Sequence, residues 1–179
     1  EYIYYDSKIK KVVKSPNLLT DGKGALDLTL KSIFDKPSDS MGWILYNDEM
    51  PEDAHRKDSS KYGHTKGVLA FDTDTKTAFW LLHSWPKYAD PGASKMPTPL
   101  YGQTFMCISL DIATASKIAA QMANHQTPQV YLPRVPKGLD KKDPLFTLSQ
   151  PFDTNPKADS DVLEYKSRGG LDFKLIAKN

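Results

Sequence analysis

The chain has 179 residues, of which 39% are hydrophobic and 26% are charged, and its formal net charge is +2. These totals favour one soluble globular domain with its own core, and they lack the strong positive charge of a dedicated DNA-binding domain. No apolar run approaches the ~18 residues that a membrane-spanning helix needs, and no basic and apolar leader opens the sequence. Nine tyrosines and three tryptophans favour a β-rich or mixed fold over a helical bundle.

The first forty residues predict a short strand, a basic segment and a helix. Residues 2–5 are aromatic and extended in character, and the four lysines after them are more often a solvated edge than a phosphate-facing surface. Those lysines are Lys8, Lys10, Lys11 and Lys14. Apolar residues then recur at mostly helical spacing, which predicts a helix from Ala25 to Phe34 that ends at Lys36-Pro37.

The middle of the chain alternates between strands and one more helix. Two apolar runs, 67–71 and 78–82, are predicted as neighbouring buried strands joined by a polar turn. Residues 42–46 and 105–110 predict a strand on either side of this pair. Asp111 is placed to cap a helix over residues 112–124, and a short strand over 129–132 follows it.

The remaining segments complete the organisation. Residues 52–61 and 87–100 are predicted as loops, the second either lining a substrate groove or forming an insertion. Residues 136–157 carry four prolines and much charge, which predicts an extended connector. Residues 161–166 and 171–177 alternate around Arg168-Gly169-Gly170 and predict a terminal hairpin. The order suits an α/β fold, a mixed sheet flanked by helices.

Two histidines and a lysine are the candidate chemical groups. His64 and Lys66 alternate along an extended segment, so their side chains leave the same face. A hairpin would return His83, at the end of the next strand, to the same end of the sheet. An ammonium can hold a phosphate oxygen while an imidazole attacks phosphorus or moves a proton. A histidine at a strand end is also often only a structural hydrogen bonder, so the spacing alone leaves its role open.

Three ordered motifs carry a family resemblance. They are Gly-His-Thr-Lys-Gly-Val-Leu from Gly63, Phe-Trp-Leu-Leu-His-Ser-Trp-Pro from Phe79, and Tyr-Gly-Gln-Thr-Phe-Met-Cys-Ile-Ser from Tyr101. With these motifs the chain resembles the deoxyribonuclease II family, a divergent branch of the phospholipase D superfamily. The resemblance implies two similar halves that face one active site. Residues 1–179 would form a single module, the first half plus the crossing into the second, without the second His-x-Lys motif.

The resemblance also assigns roles to residues. His64 would attack phosphorus to give a phosphohistidine, Lys66 would hold the phosphate, and His83 would be a further catalytic group. Ser84 and Gln103 would contact substrate. The family mechanism needs no metal or other cofactor, and the histidines and carboxylates of this sequence show no metal-ligand spacing.

The single cysteine, Cys107, has two interpretations. On composition alone it is a small buried thiol on an apolar strand. The resemblance implies instead a disulfide with a family cysteine that this sequence does not contain, as expected of a secreted or lysosomal protein.

The function implied is a deoxyribonuclease II-like endonuclease that degrades DNA by acidic, metal-independent hydrolysis of phosphodiester bonds. The alternative is a catalytically inactive secreted homologue that binds nucleic acid or another partner. The enzyme would need its second half as a separate chain or as a homodimer mate, and no membrane is expected as a partner. The isolated chain is therefore expected to be inactive.

Overall fold

The computed structural model of the chain describes residues 1–19, 21–51, 61–88, 98–151 and 159–177. The chain divides into two compact units, Glu1–Pro37 and Ser38–Asn179. The single module over residues 1–179 stays a prediction. No helix in the described part of the chain is long and apolar enough to cross a membrane.

The first unit contains a two-stranded ribbon and a helix. Strand β1 (Ile3–Tyr4) pairs antiparallel with β2 (Val13–Lys14). Strand β1 lies within the short strand predicted over residues 2–5. Helix α1 spans Ala25–Phe34, as its apolar spacing predicts. The four-lysine cluster of this unit is exposed, which agrees with a solvated edge. The helix buries one face, made of Leu26, Leu30 and Ile33.

A five-stranded antiparallel sheet is the centre of the second unit. Its strands are β3 (Met41–Asn47), β4 (Lys66–Asp72), β5 (Thr77–His83), β6 (Phe105–Asp111) and β7 (Val130–Arg134). They lie in the order β6-β5-β4-β3-β7, so β4 and β5 occupy the middle of the sheet. Four of them contain a predicted strand, and β7 overlaps the predicted strand over 129–132 at residues 130–132. The α/β class is therefore confirmed, with a sheet flanked by helices, and it is consistent with a phospholipase D-like half.

One face of the sheet packs against the helix that follows β6. Helix α2 (Ile112–Gln121) begins where the Asp111 side chain accepts a hydrogen bond from the Thr114 backbone N–H, and it continues as a π-helical turn, Met122–Gln126. The apolar side of α2 packs against the sheet and forms part of the hydrophobic core. The large side chains of this core include Tyr46, Leu69, Trp80, Leu110, Ile118 and Met122.

The predicted extended connector over residues 136–157 is wrong over five of its residues. They form helix α3, Pro144–Leu148. Asp143 caps it by accepting a hydrogen bond from the Leu145 backbone N–H, and proline at the first position suits a helix start. Leu145 and Leu148 are fully buried in the core. A single helical turn that buries two residues is too short to produce a periodic pattern.

The predicted terminal hairpin is confirmed. Strand β8 (Asp161–Lys166) pairs antiparallel with β9 (Asp172–Ala177). Four alternating side chains of the hairpin pack against the core, namely Leu163, Tyr165, Phe173 and Leu175. Leu171 alternates with Phe173 and Leu175 in the sequence and was therefore expected on the same inner face. It is instead 59% exposed. Most of the two predicted loops, residues 52–60 and 89–97, lies outside the described residues.

Candidate active site

The sheet register brings the motif residues to one end of the second unit. Asn47 lies opposite Lys66 in the β3–β4 pair, and His83 lies opposite Phe105 in the β5–β6 pair. Because β4 and β5 are antiparallel, the start of β4 and the end of β5 meet at this end. Residues opposite each other in an antiparallel pair point to the same face. The strands thus place Lys66 and His83 as neighbours on one face.

Asp48 joins the two residues of the His-x-Lys motif. It follows directly after β3, and its two carboxylate oxygens contact Nδ1 of His64 and Nζ of Lys66. The side chain of Lys66 is only 7% exposed and that of Asp48 14%, whereas that of His64 is 86% exposed. The buried ammonium therefore lies behind the carboxylate, and the imidazole projects into solvent with its Nε2 away from Asp48.

Close backbone packing explains both glycines of the motif. The Gly63 N–H donates to the Thr127 carbonyl oxygen at 3.0 Å, and a Cβ at residue 63 would overlap the carbonyl oxygen of Gln126. A Cβ at Gly67 would overlap the hydroxyl of Tyr46, which accepts a hydrogen bond from Trp80 Nε1 at 2.9 Å. Both sites need glycine because there is no room for a side chain. The π-helical turn after α2 thus supports the segment that carries His64.

His83 lies in an aromatic environment that keeps it neutral. Its ring is 5.0 Å from that of Tyr88 and 5.8 Å from that of Phe105. Burial, and then the positive charge of Lys66, lower the pKa of His83 to about 4; the Trp85 backbone and Asp48 act more weakly in the opposite direction. Its Nδ1 is buried and makes no well-formed hydrogen bond, so the nearby Trp85 backbone is a weak electrostatic partner at most.

Of the three predicted catalytic side chains, only that of His64 is exposed. His83 is half-buried and Lys66 is buried, although all three lie at the same end of the sheet. A neutral imidazole can accept or donate a hydrogen bond, but it is a poor source of a proton. The catalytic roles of the three residues stay predictions.

Ser84 and Gln103 form an exposed pair beside His83. The Ser84 hydroxyl donates to Gln103 Oε1 at 2.6 Å and accepts from the Thr104 backbone N–H at 3.0 Å. Gln103 also donates from Nε2 to the Tyr101 carbonyl oxygen at 3.0 Å. The hydrogen bonds join the segment after β5 to the segment before β6. Their predicted contact with substrate stays a prediction.

Cys107 lies on β6 opposite Leu81 and is a free thiol. The residue is exposed, yet the protein around the sulfur desolvates it and raises the pKa of the thiol to about 11. The thiol of this exposed residue is therefore a weak nucleophile at neutral pH. No second cysteine exists in the sequence, so the predicted disulfide does not form within this chain and requires a cysteine from elsewhere.

Asp48 is the functional candidate that the sequence analysis missed. The sequence places it in a turn after a strand, and only the β3–β4 register shows that this turn meets His64 and Lys66. The preceding residue, Asn47, donates from its side-chain amide to the Trp85 carbonyl oxygen at 3.2 Å. Among the residues that the structure describes, no three His, Cys, Asp or Glu side chains are grouped to hold a metal ion.

Comparison with known proteins shows relatives along the whole chain. The family model for deoxyribonuclease II matches residues 1–179. The chain is 61% identical over 179 residues to a protein from Burkholderia thailandensis named putative deoxyribonuclease-2, covering 100% of this chain and 51% of that protein. It is 31% identical over 167 residues to the deoxyribonuclease-2-alpha of Rattus norvegicus, covering 87% of this chain and 45% of that protein.

A third relative has a lower identity but also matches nearly the whole chain. Cell death-related nuclease 6 of Caenorhabditis elegans is 29% identical over 182 residues, covering 99% of this chain and 46% of that protein. The chain thus spans about half the length of the curated relatives it matches. Since the family model covers it from end to end, the chain belongs to the deoxyribonuclease II family.

Proposed function

We propose that the chain supplies the first half-site of a DNA endonuclease that hydrolyses phosphodiester bonds. The observation that carries this proposal is the Asp48 carboxylate held between His64 Nδ1 and Lys66 Nζ at the end of the sheet. Membership of the family and the names of the relatives support the same chemistry.

In the first step, His64 is the nucleophile. Asp48 accepts a hydrogen bond from the Nδ1–H of His64, which orients the ring and leaves the Nε2 lone pair directed to solvent. Nε2 attacks phosphorus, a phosphorus–nitrogen bond forms, and the bond from phosphorus to the leaving oxygen breaks. The product is a phosphohistidine at His64. Asp48 stabilises the positive charge that develops on the imidazole, in the way a buried carboxylate assists other catalytic histidines.

The second step hydrolyses this intermediate. In the first step, the leaving alkoxide has taken a proton from a second histidine. That histidine now removes a proton from water as the water attacks phosphorus. The phosphorus–nitrogen bond breaks, the electron pair returns to Nε2, and a phosphate monoester leaves. Splitting one displacement into two lowers each barrier. The second histidine comes from the other half of the site, because His83 is neutral, half-buried and on the same half as His64.

Lys66 provides the electrostatic part of the mechanism. Its ammonium is held at the site by Asp48 and the strand register, so its positive charge is already in place when negative charge develops on an equatorial phosphate oxygen. The proposed scheme uses only the side chains of Asp48, His64, Lys66 and the second histidine, and no metal ion takes part in it. Mildly acidic pH, as in a lysosomal or secreted setting, would keep the second histidine protonated.

A plasmid-nicking assay tests the proposal. The complete protein should nick supercoiled DNA at mildly acidic pH in excess chelator, and His64→Ala should lower the rate by at least ~10⁴-fold. Lys117→Ala, an exposed site on α2, is the matched control and should leave the rate unchanged. The chain alone should be inactive, or its rate should rise with the square of concentration if two copies assemble the site.

Three results would contradict the proposal. Cleavage that chelator abolishes would indicate metal chemistry, and cleavage that survives His64→Ala would remove the proposed nucleophile. A complete protein that binds DNA at acidic pH without cutting it would support the alternative of an inactive homologue.

A further inference from the structure

A cavity opens on the side of His64 that faces the π-helical turn. Its volume is about 500 Å³, inside the range of roughly 300–1,000 Å³ typical of small-molecule sites. Four segments form its wall: residues 61–65, the end of β5 with Trp80 and Leu82, residues 125–127 of the π-helical turn, and residues 175–177 at the end of β9. His64 therefore belongs both to the Asp48–Lys66 site and to this cavity.

The basic side chains of the cavity favour an anionic ligand. Lys61, His64 and His125 contribute to its wall, and no described Asp or Glu does. A second cavity of about 540 Å³, beside the start of α2, differs because Asp140 and Asp143 line it, and Asp143 is already used to cap α3. Of these two cavities in the described part of the chain, the one at His64 combines a candidate catalytic residue with a lining free of described carboxylates.

The uncharged groups favour a flat, partly polar ring. Leu82 and Leu175 provide apolar wall, and Tyr62 adds a half-buried aromatic ring on which a base could stack. The side-chain amide of Gln126 lines the cavity and has no hydrogen-bond partner among the residues that the structure describes. An amide can bond the edge of any nucleobase, as donor or as acceptor.

We propose that this cavity binds the base and sugar of the nucleotide whose phosphate lies at His64 and Lys66. The inference rests on the proposed function, because that function puts a phosphate at His64. It adds that the site takes hold of an unstacked nucleotide next to the scissile bond. A base inside duplex DNA cannot enter such a cavity, so the adjacent base pair opens when the strand binds.

Binding of small ligands to the purified chain tests this without any catalysis. The probes are thymidine 5′-monophosphate, inorganic phosphate and deoxyribose 5-phosphate, titrated by NMR because single nucleotides bind weakly. The mononucleotide should bind at least ~10-fold more tightly than either phosphate probe, because its base can stack on an aromatic side chain. Its largest shifts should include the backbone amides of Tyr62 and Gln126.

Two surface variants probe the cavity itself. Gln126→Leu keeps the side-chain size but removes the amide and should weaken mononucleotide binding about fivefold. Ile176→Glu puts a negative charge at the rim, where Ile176 is 65% exposed, and should weaken it by roughly tenfold. Leu171→Glu is the matched control: it is 59% exposed on the same hairpin but five residues away, and it should change nothing.

The outcomes separate this inference from the proposed function. If phosphate binds and the mononucleotide binds no more tightly, the cavity is not a base site while the phosphate site stands. If neither Ile176→Glu nor Gln126→Leu weakens a tight mononucleotide complex, the base lies elsewhere and the inference is overturned. If none of the probes binds, both proposals fail for this chain.

Discussion

The two ends of the five-stranded sheet carry carboxylates in opposite roles. At the end away from the motif, Asp72 accepts hydrogen bonds from the backbone N–H groups of Asp74 and Thr75, and Asp111 accepts one from Thr114. At the motif end, the two carboxylate oxygens of Asp48 contact side chains of His64 and Lys66.

The backbone hydrogen bonds at the end away from the motif lower the pKa of both carboxyls. Burial raises the pKa of Asp72. The hydrogen bonds from the N–H groups of Thr75 and Asp74 together lower it by more, so the net shift is downward. The Thr114 N–H is the main cause of the lowered pKa of Asp111. A carboxylate that bonds to backbone fixes a turn or a helix start, whereas one held by a histidine and a lysine can take part in chemistry. The partners of a carboxylate, more than its burial, distinguish the two roles.

A large effect on the nicking rate is expected from the backbone beneath the motif end. Gly63→Ala should lower the nicking rate of the complete protein by ~10²-fold, because its methyl group would displace the segment carrying His64 from the Gln126 carbonyl oxygen. Gly102→Ala is the matched control, since nothing lies within 4 Å of a Cβ there. Equal rates for the two variants would show that the π-helical turn does not position His64.

A second prediction concerns the pH dependence of stability at the motif end. The pKa of His83 is about 4 in the folded chain and an ordinary histidine has a pKa of 6.5, so between these values the unfolded chain binds a proton that the folded chain does not. The free energy of unfolding should therefore fall as pH decreases from 6.5 to about 4, with a slope of up to ~1.4 kcal/mol per pH unit. His83→Gln should remove this slope.

The exposed histidine of the motif is the comparison for that experiment. His64→Gln should keep the slope due to His83, measured by urea unfolding across the same pH range. NMR should also show a neutral His83 imidazole at pH ~5, as expected from burial of the ring. If His83 titrates near 6.5, the ordinary pKa of a histidine, the aromatic cluster does not exclude water from its ring.

The smallest effect is expected at the opposite end of the sheet. Asp111→Ala should lower the free energy of unfolding by ~1 kcal/mol at neutral pH through loss of the helix cap. Because the folded pKa of Asp111 lies below 3.8, this difference should be present above pH ~4 and disappear as pH falls through the folded value. Asp39→Ala, at an exposed site, is the control and should have no effect. An equal loss in both variants would contradict the capping role.

Much of the fold could be predicted because its signals are local. Alternating or continuous apolar runs predict the five strands, and α1 shows helical spacing over ten residues. The start of α2 is predicted because Asp111 is a typical capping residue before an apolar run. Helix α3 could not be predicted, because its five residues are stabilised by burial of Leu145 and Leu148 in a core built from distant segments.

The site was predictable only in part for a similar reason. His64, Lys66 and His83 stand in motifs, and an antiparallel pair of strands must bring them to one end of the sheet. Asp48 joins them through the pairing of β3 with β4, which the local pattern of either strand does not specify. The low pKa of His83 depends on Tyr88 and Phe105, which approach its ring only in the folded chain.

The central claim is that Asp48 is a working part of a phosphodiester-cleaving site and Asp72 is not. The direct measurement is the rate of plasmid nicking by the complete protein carrying Asp48→Asn or Asp72→Asn, with folding checked by circular dichroism. Asp48→Asn should lower the rate by ~10²–10⁴-fold, since an amide cannot orient and charge-stabilise His64 in the same way. Asp72→Asn should leave the rate within about threefold, because its turn needs only an acceptor. Equal rates for the two folded variants would contradict the account.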